Sequence, residues 1–531
     1  VRFAVFGKSS QPHHDMNTPT RKAEHIQTLI AGQWRDASGS LYSTEYPFDG
    51  SVVATLNAAT VDDVNKAVEA AEVARLQPAW ANLMPHQRAA FLQKIAAGIR
   101  ARAEELAQLQ MLDNGKPITE CRGLVASAAG TFQYFAAVVE TFEDAVTPKR
   151  GEFMSISMHE PLGVVGAITP WNSPIASEAQ KLAPALAAGC AVVIKPAEIT
   201  PRMAIELARI ICDAGKGMGA TSGTGMAAGS VDIPKAIVSM LPGKGSIVGD
   251  ALVRHPLVKR IAFTGGTTVG KGIAKLAAEK LMPVSLELGG KSPTIVCADA
   301  NLDHAVAGVL YGIFSSSGES CIAGSRCFVH TSRYDEFKLR LVAGAKALRV
   351  GNPSNESTQM GPLISSSHRA GIERYVAIGL AEGGKLLCGG ARPTKLADGS
   401  DAGNGYFYEP TIFEGLANTA QICREEIFGP VLALIPYSDD GDLIAQCNDS
   451  EYGLASGIWT KDYQHALKLG KALQTGTVWI NTYKVFSIAT AFGGVKNSGM
   501  GREKGYASIM EYMTQKSFYW GLSETPNPWI N

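Results

Sequence analysis

Between positions 163 and 289, short apolar runs alternate with longer stretches in which apolar residues recur at helical spacing. The runs at 164–169, 191–194, 236–241, 260–263 and 283–286 are short and almost wholly apolar, so they predict strands buried on both faces. Five strand-then-helix units of this kind predict a parallel, doubly wound sheet whose ligand chemistry lies at the carboxyl ends of its strands. A second α/β stretch begins at 294–297 and runs to about 481, with further strands at 326–330 and 431–435. Positions 61–109 predict mostly helix, and 30–34 a short hairpin. Two segments differ: 153–159 and 513–520 alternate apolar with polar residues like exposed strands, and edge strands of this kind often pair between subunits. The tract 216–231 is rich in Gly, Ala and Ser and has little to bury. It predicts a flexible surface insertion between a helix and the next strand, at the sheet end opposite the ligands and without a catalytic role.

A chain of 531 residues predicts two or three domains. With 46% hydrophobic and 18% charged residues it can bury a large core, which excludes wholesale disorder. The 49 basic and 49 acidic residues cancel, so no global field would hold nucleic acid or an anionic membrane. The 9 cysteines are odd in number, scattered and never spaced C-x-x-C, which argues against a disulfide framework or a zinc ribbon and predicts a reducing, cytoplasmic setting. The longest apolar stretch, 182–194, is interrupted by Pro184 and Gly189 and is too short to span a bilayer. The first fifteen residues open with Val and show no apolar core followed by a small-residue cleavage site, so they predict a loose leader, with Met16 a candidate start and Val1 an alternative initiation point.

Several segments carry candidate chemistry. Gly265 to Lys271 follows a strand and opens a helix, a setting that can cradle phosphate, yet Gly272 stands where a P-loop needs a hydroxyl and Thr267 where the dinucleotide fingerprint needs Gly. A phosphate cradle of another kind and a plain tight turn both remain open. Cys321 lies in a small-residue loop where substrate could reach the thiol, whereas Cys190, Cys297 and Cys388 sit in apolar runs; core packing is the commoner fate of a lone cysteine. Glu287, flanked by Leu286 and Leu288 at a strand end, is either a buried ion-pair partner or a general base whose pKa is raised by its apolar walls. Asn172, between two prolines, is either an oxyanion donor or an Asx turn. Lys195 and Glu198 follow a strand where a nucleotide ribose would lie, with surface charge as the alternative.

Taken in order, Pro170-Trp171-Asn172-Ser173-Pro174, Ile194-Lys195-Pro196-Ala197-Glu198, Phe263-Thr264-Gly265-Gly266-Thr267, Leu286-Glu287-Leu288-Gly289-Gly290-Lys291, Gly318-Glu319-Ser320-Cys321, Glu425-Glu426-Ile427-Phe428-Gly429-Pro430 and Phe492-Gly493-Gly494-Val495-Lys496-Asn497-Ser498-Gly499 resemble the motifs of the aldehyde dehydrogenase superfamily. The resemblance extends from about Ile26 to Ser517, and the separation of Glu287 from Cys321 is similar to the family's spacing of base and nucleophile. It implies a Rossmann-like parallel-sheet cofactor domain (26–146 and 162–288), a second α/β catalytic domain (289–490), and a small β oligomerisation element with the C-terminal tail (147–161 and 507–531), after a leader at 1–25. It also implies NAD(P)-dependent oxidation of an aldehyde through a Cys321 thiohemiacetal and thioester. Asn172 and the Cys321 N–H would hold the oxyanion, Glu287 would activate water, and Lys181 and Glu503 would carry its proton away.

For the cofactor, the resemblance implies Lys195 and Glu198 at the adenosine ribose, Gly266 at the pyrophosphate, and Glu426 with Phe428 at the nicotinamide ribose. Thr169, Trp171, Gly245, Thr264, Gly265, Val269 and Leu288 would complete the cleft. Glu198 favours NAD, with NADP as the second candidate, and no metal is implied. Ser173, Ser177, Gln180, Ser320, Ile322, Lys484, Phe486 and Phe492 would line the substrate pocket. Three of these, Ser173, Ser177 and Gln180, stand where enzymes for aliphatic aldehydes often carry large apolar side chains, and Lys484 is charged, so the expected substrate is a polar, aromatic or acidic aldehyde. The chain departs from the family pattern at Glu319, usually Gln, at Ala491, often Pro, and in the tract 216–231. Transfer to coenzyme A, a catalytically idle relative with a binding or structural role, and a P-loop NTPase are the competing functions. A homodimer or homotetramer is the implied assembly.

Overall fold

A computed structural model describes residues 23–220, 231–525 and 529. Strands Val238–Met240, Ala191–Lys195, Val164–Ile168, Val258–Thr264 and Val284–Glu287 lie side by side in that order, all parallel, with Gly499–Met500 added antiparallel at the end. Val164–Ile168 and Ala191–Lys195 are buried along their whole length, which is why they read as unbroken apolar runs. The run at 236–241 is shorter as a strand than expected, because a 3-10 turn, Lys235–Ile237, takes its first part. The strand order reverses between Val164–Ile168 and Val258–Thr264. The crevice at the carboxyl ends of those two strands is where a doubly wound sheet takes its ligand.

Helix Pro174–Ala188 leads away from that crevice. Pro174 starts it where a missing N–H costs nothing, Gly189 ends it at φ 94°, and most of its Ala-rich surface is buried, so almost no polar face was needed. Residues 288–292 then lead directly into a second sheet. Its order is Lys385–Cys388, Thr411–Glu414, Val431–Tyr437, Arg326–His330, Pro293–Val296, Ala455–Trp459, Thr477–Ile480, parallel except at the Lys385–Cys388 edge. Alternate residues of one strand serve opposite cores: Cys327 and Val329 pack with Phe314 and Trp459, while Phe328 packs with Ile372 and Phe413.

Phe153–Pro161 and Met513–Gly521 are strands, and they pair antiparallel with each other along their whole length within the chain, with Ala145–Val146 on the far side. Among the described residues no strand pairs with the other edge of Met513–Gly521, and Phe518, Tyr519 and Trp520 of that strand are exposed. The hairpin near 30–34 is Thr28–Ile30 with Gln33–Arg35. One boundary moves: Glu24–His25 pair in parallel with Val52–Asn57, so the fold already includes residues assigned to the leader. Positions 1–22 of that leader and 221–230 of the Gly/Ala/Ser tract lie outside the described residues. The tract's flanks meet where Gly219 bridges Val231. Among the described residues no helix is long and apolar enough to cross a membrane.

Candidate active site

Two cavities, one of about 770 Å³ and one of about 560 Å³, meet between the sheets and share Asn172, Thr264, Glu287 and Cys321 in their walls. Asn172 comes from the loop after Val164–Ile168, Thr264 and Glu287 end their strands, and Cys321 precedes Arg326–His330. Carboxyl ends of the first sheet thus face an amino end of the second.

The Cys321 loop is held in an unusual shape. After helix Leu302–Phe314 the chain turns through Ser316 (φ 57°), Ser317 (φ 54°) and Gly318 (φ 73°). Left-handed serines cost about 1 kcal/mol each, so partners must hold them. Glu120 accepts from Ser316 N at 2.9 Å and Oγ at 2.5 Å, and Ser317 Oγ donates to the Gly361 carbonyl at 2.9 Å. Gly318 is required there, since a Cβ would fall 2.2 Å from the Gly429 carbonyl. Gly290 lets another backbone segment approach Cys321, whose carbonyl oxygen would lie 2.3 Å from an added Cβ.

Cys321 is half-buried, and burial pushes its thiol up to about 12, with Glu426 and Glu287 adding and Lys484 opposing. Asn172 Nδ2 donates to the Glu319 carbonyl at 3.0 Å. An amide nitrogen carries two hydrogens, so one remains for the cavity. Glu287 is 5% exposed, and among the described residues neither of its carboxylate oxygens has a hydrogen-bond partner. Burial and then Glu503 hold its pKa well above the usual carboxylate range, with Lys181, Arg502 and Lys504 opposing. Fully buried Lys181 donates to Thr264 Oγ1 at 2.6 Å and pairs with Glu503.

The larger cavity is lined by Thr169, Trp171, Lys195, Gly245, Thr264 and Gly265, and by Gly266, Val269, Leu288, Glu426 and Phe428. Helix Thr267–Ala278 starts on it at Gly266 with no side-chain cap, which leaves free N–H groups and the positive end of the helix dipole for an anion. Glu426 accepts from Gly290 N at 3.1 Å, and burial pushes its carboxyl up to about 7. It fits only because Gly289 lacks a Cβ, which would lie 2.1 Å from its Oε2. Glu198 is the exception among the expected cofactor residues: Ala197 lines the cavity and Glu198 does not. Its charge instead acts on Lys195, whose Nζ turns back to the Pro196 carbonyl.

The smaller cavity is lined by Ser173, Ser177, Gln180, Ser320, Ile322, Lys484, Phe486 and Phe492. Lys484 Nζ donates to Ser315 Oγ at 2.8 Å, and burial lowers its pKa to about 8.

The model of the aldehyde dehydrogenase family matches residues 34–518. The chain belongs to the aldehyde dehydrogenase family. It is 38% identical over 508 residues to a betaine aldehyde dehydrogenase of Bacillus subtilis, covering 95% of this chain and 99% of that one. It also resembles the solved structure of an NAD-dependent aldehyde dehydrogenase from Sinorhizobium meliloti, with TM-score 0.90, 35% identity and coverage of 97% and 99%. An NAD+ complex of an aldehyde dehydrogenase from Bacillus cereus matches with TM-score 0.88 and 35% identity over 94% of this chain and 97% of that one.

For this aldehyde dehydrogenase, the residues of the site that sequence reasoning missed include His368, Glu120 and Lys504. His368 lines the larger cavity with its ring 5.4 Å from Trp171 and its Nε2 2.8 Å from the Phe428 carbonyl. It comes from helix Ser366–Ala381, remote from every motif. Glu120 and Lys504 line the smaller cavity. The available signal was the position of Lys504 beside Glu503, and of Glu120 at the start of a helix after Pro117. Glu319, the departure from the family's usual Gln, is 2% exposed, accepts from Ile364 N at 2.8 Å, and is pushed up by burial to about 8.

Proposed function

We propose that this chain oxidises an aldehyde to a carboxylic acid with NAD, through a covalent bond to Cys321 that water then cleaves. The convergence of both cavities on Cys321, Asn172 and Glu287 carries the reading. The larger cavity fits NAD: the uncapped helix start at Gly266 suits a pyrophosphate, the ring of Trp171 stands 5.2 Å from Phe428 as an apolar wall, and Gly289 leaves room for Glu426 near a ribose. When bound, NAD supplies the acceptor for the hydride that leaves the aldehyde carbon.

The Cys321 thiol first gives its proton to solvent in the cavity, and Sγ then forms a bond to the carbonyl carbon as the carbonyl π pair moves onto oxygen. The free Asn172 N–H and the Cys321 backbone N–H, which among the described residues donates to no backbone carbonyl, hold that oxyanion. Its collapse re-forms the C=O bond, expels the hydride and leaves a thioester on Cys321. Glu287, with both oxygens unpartnered, takes a proton from water as the water oxygen attacks the thioester, and the thiolate leaves. Lys181 and Glu503 offer the proton a way out through buried contacts. Glu287 favours water over coenzyme A as acyl acceptor, because a general base is what weakly acidic water needs. Following reduced-cofactor absorbance over an aldehyde panel with and without coenzyme A tests both points. Activity that requires coenzyme A would overturn the hydrolytic reading.

The small and polar walls at Ser173, Ser177, Gln180 and Lys484 favour a polar, aromatic or acidic aldehyde. The highest kcat/KM on long unbranched alkanals, with Lys484→Met leaving the KM for an acidic semialdehyde unchanged, would refute that preference. The exposed edge strand Met513–Gly521 supports a homodimer or homotetramer, and nine unpaired cysteines suit the cytoplasm.

A further inference from the structure

Lys504 follows Glu503, has φ 59°, and is only 6% exposed. Its Nζ lies 3.8 Å from the ring centroid of Phe486 and 5.6 Å from that of Phe492, and all three residues line the smaller cavity. Among the described residues it has no hydrogen-bond acceptor and no carboxylate at ion-pair distance. An ammonium has three donors, and two ring faces replace only part of its lost hydration. A buried cation in this state lacks a counter-ion.

Among the described residues no other charge around the cavity stands at ion-pair distance from Lys504, and Glu503 and Glu287 act on it only from further away. Glu120 is committed to Ser316, with Lys116 3.9 Å away. Glu503 is tied to Lys181, and burial holds Glu287 toward its neutral form. Lys484 adds a second cation to the wall. The two phenylalanines that could receive a cationic headgroup already hold the protein's own.

We infer that this cavity takes an aldehyde bearing a carboxylate at its far end, gripped by Lys504 between Phe486 and Phe492 with Lys484 nearby, and that it rejects aldehydes carrying a quaternary ammonium. This rests on the aldehyde-oxidising reading above and narrows its substrate class. Lys504 is then a specificity residue, and the substrate differs in charge from the betaine aldehyde named for the Bacillus subtilis relative.

The test compares succinic and glutaric semialdehydes with butanal, pentanal and betaine aldehyde. The acid-over-neutral ratio of kcat/KM should be about tenfold or more, the size expected of one charge-assisted contact, with betaine aldehyde poorest of all. In Lys504→Met and Lys504→Gln that ratio should fall about tenfold, mainly through KM, while Lys504→Arg keeps most of it. Independently of turnover, calorimetry should find that glutarate binds the unsubstituted protein about tenfold more tightly than Lys504→Gln. Equal use of butanal and succinic semialdehyde, or a preference for betaine aldehyde, overturns the inference and leaves aldehyde oxidation standing. Glutarate binding that depends on Lys504, in a protein that oxidises none of the aldehydes, supports the anion site and overturns the activity instead.

Discussion

Removing the Asn172 amide takes away two N–H donors whose losses are read by different assays, one by rate and one by stability. One N–H is spent on the Glu319 carbonyl at 3.0 Å, and the other faces the space shared with Cys321. Asn172→Ala deletes both. Loss of the cavity-facing donor withdraws one of two groups that hold the oxyanion, and loss of a preorganised donor costs about 2.7–4 kcal/mol, or roughly a hundredfold to a thousandfold in rate. Loss of the other leaves the Glu319 carbonyl short of a partner, at about 1–3 kcal/mol of stability. Asn172→Asp should be at least as slow, because it sets a carboxylate against the developing alkoxide. Stopped-flow measurement of the first turnover gives the rate, and thermal melting gives the stability. A folded Asn172→Ala protein whose first turnover stays within a few-fold of the unsubstituted rate would refute the oxyanion assignment.

The pH dependence follows from Glu287: burial and Glu503 raise its pKa, so its base form is scarce at acid pH, and kcat for thioester hydrolysis should climb as pH rises through the raised value. Glu287→Gln should flatten that climb and lower steady-state kcat by about a hundredfold to ten-thousandfold. Burial pushes the Glu319 carboxyl up to about 8 in the fold, above its ordinary range in the unfolded chain; the unfolded chain therefore loses its proton first, and stability falls as pH rises from about 4.5 toward 8. Glu319→Gln should remove that fall, so its gain in Tm over the unsubstituted protein should be larger at pH 8 than at pH 5. Gly290→Ala would place a Cβ 2.3 Å from the Cys321 carbonyl oxygen; the forced shift should lower kcat about tenfold or more, and unchanged kcat in the folded variant would show that the loop can yield.

The parallel strands were legible because strands buried on both faces leave an unbroken apolar signature, as at Val164–Ile168. The loop around Cys321 stood out by composition, since small residues beside a thiol leave room for a substrate to reach it, and Cys321 does line both cavities. What the sequence did not carry was direction. Glu198 stands near the end of the strand Ala191–Lys195, yet Ala197 lines the cavity and Glu198 does not, and chain position alone does not distinguish these. Glu120, His368 and Lys504 reach the site from elements far apart in the chain, so no local spacing links them to Cys321. The left-handed turn at Ser316 and Ser317 left no signal either, because serine has no preference for it and Glu120 enforces it from outside the loop.

The most direct measurement is the mass of the Glu287→Gln protein after mixing with NAD and an oxidisable aldehyde. Acylation at Cys321 should proceed while hydrolysis stalls, so one acyl group should be found on the peptide that contains Cys321 together with a single burst of reduced cofactor. An unmodified Cys321, an acyl group on another of the nine cysteines, or a Cys321→Ser protein that turns over aldehyde at the unsubstituted rate would contradict the account.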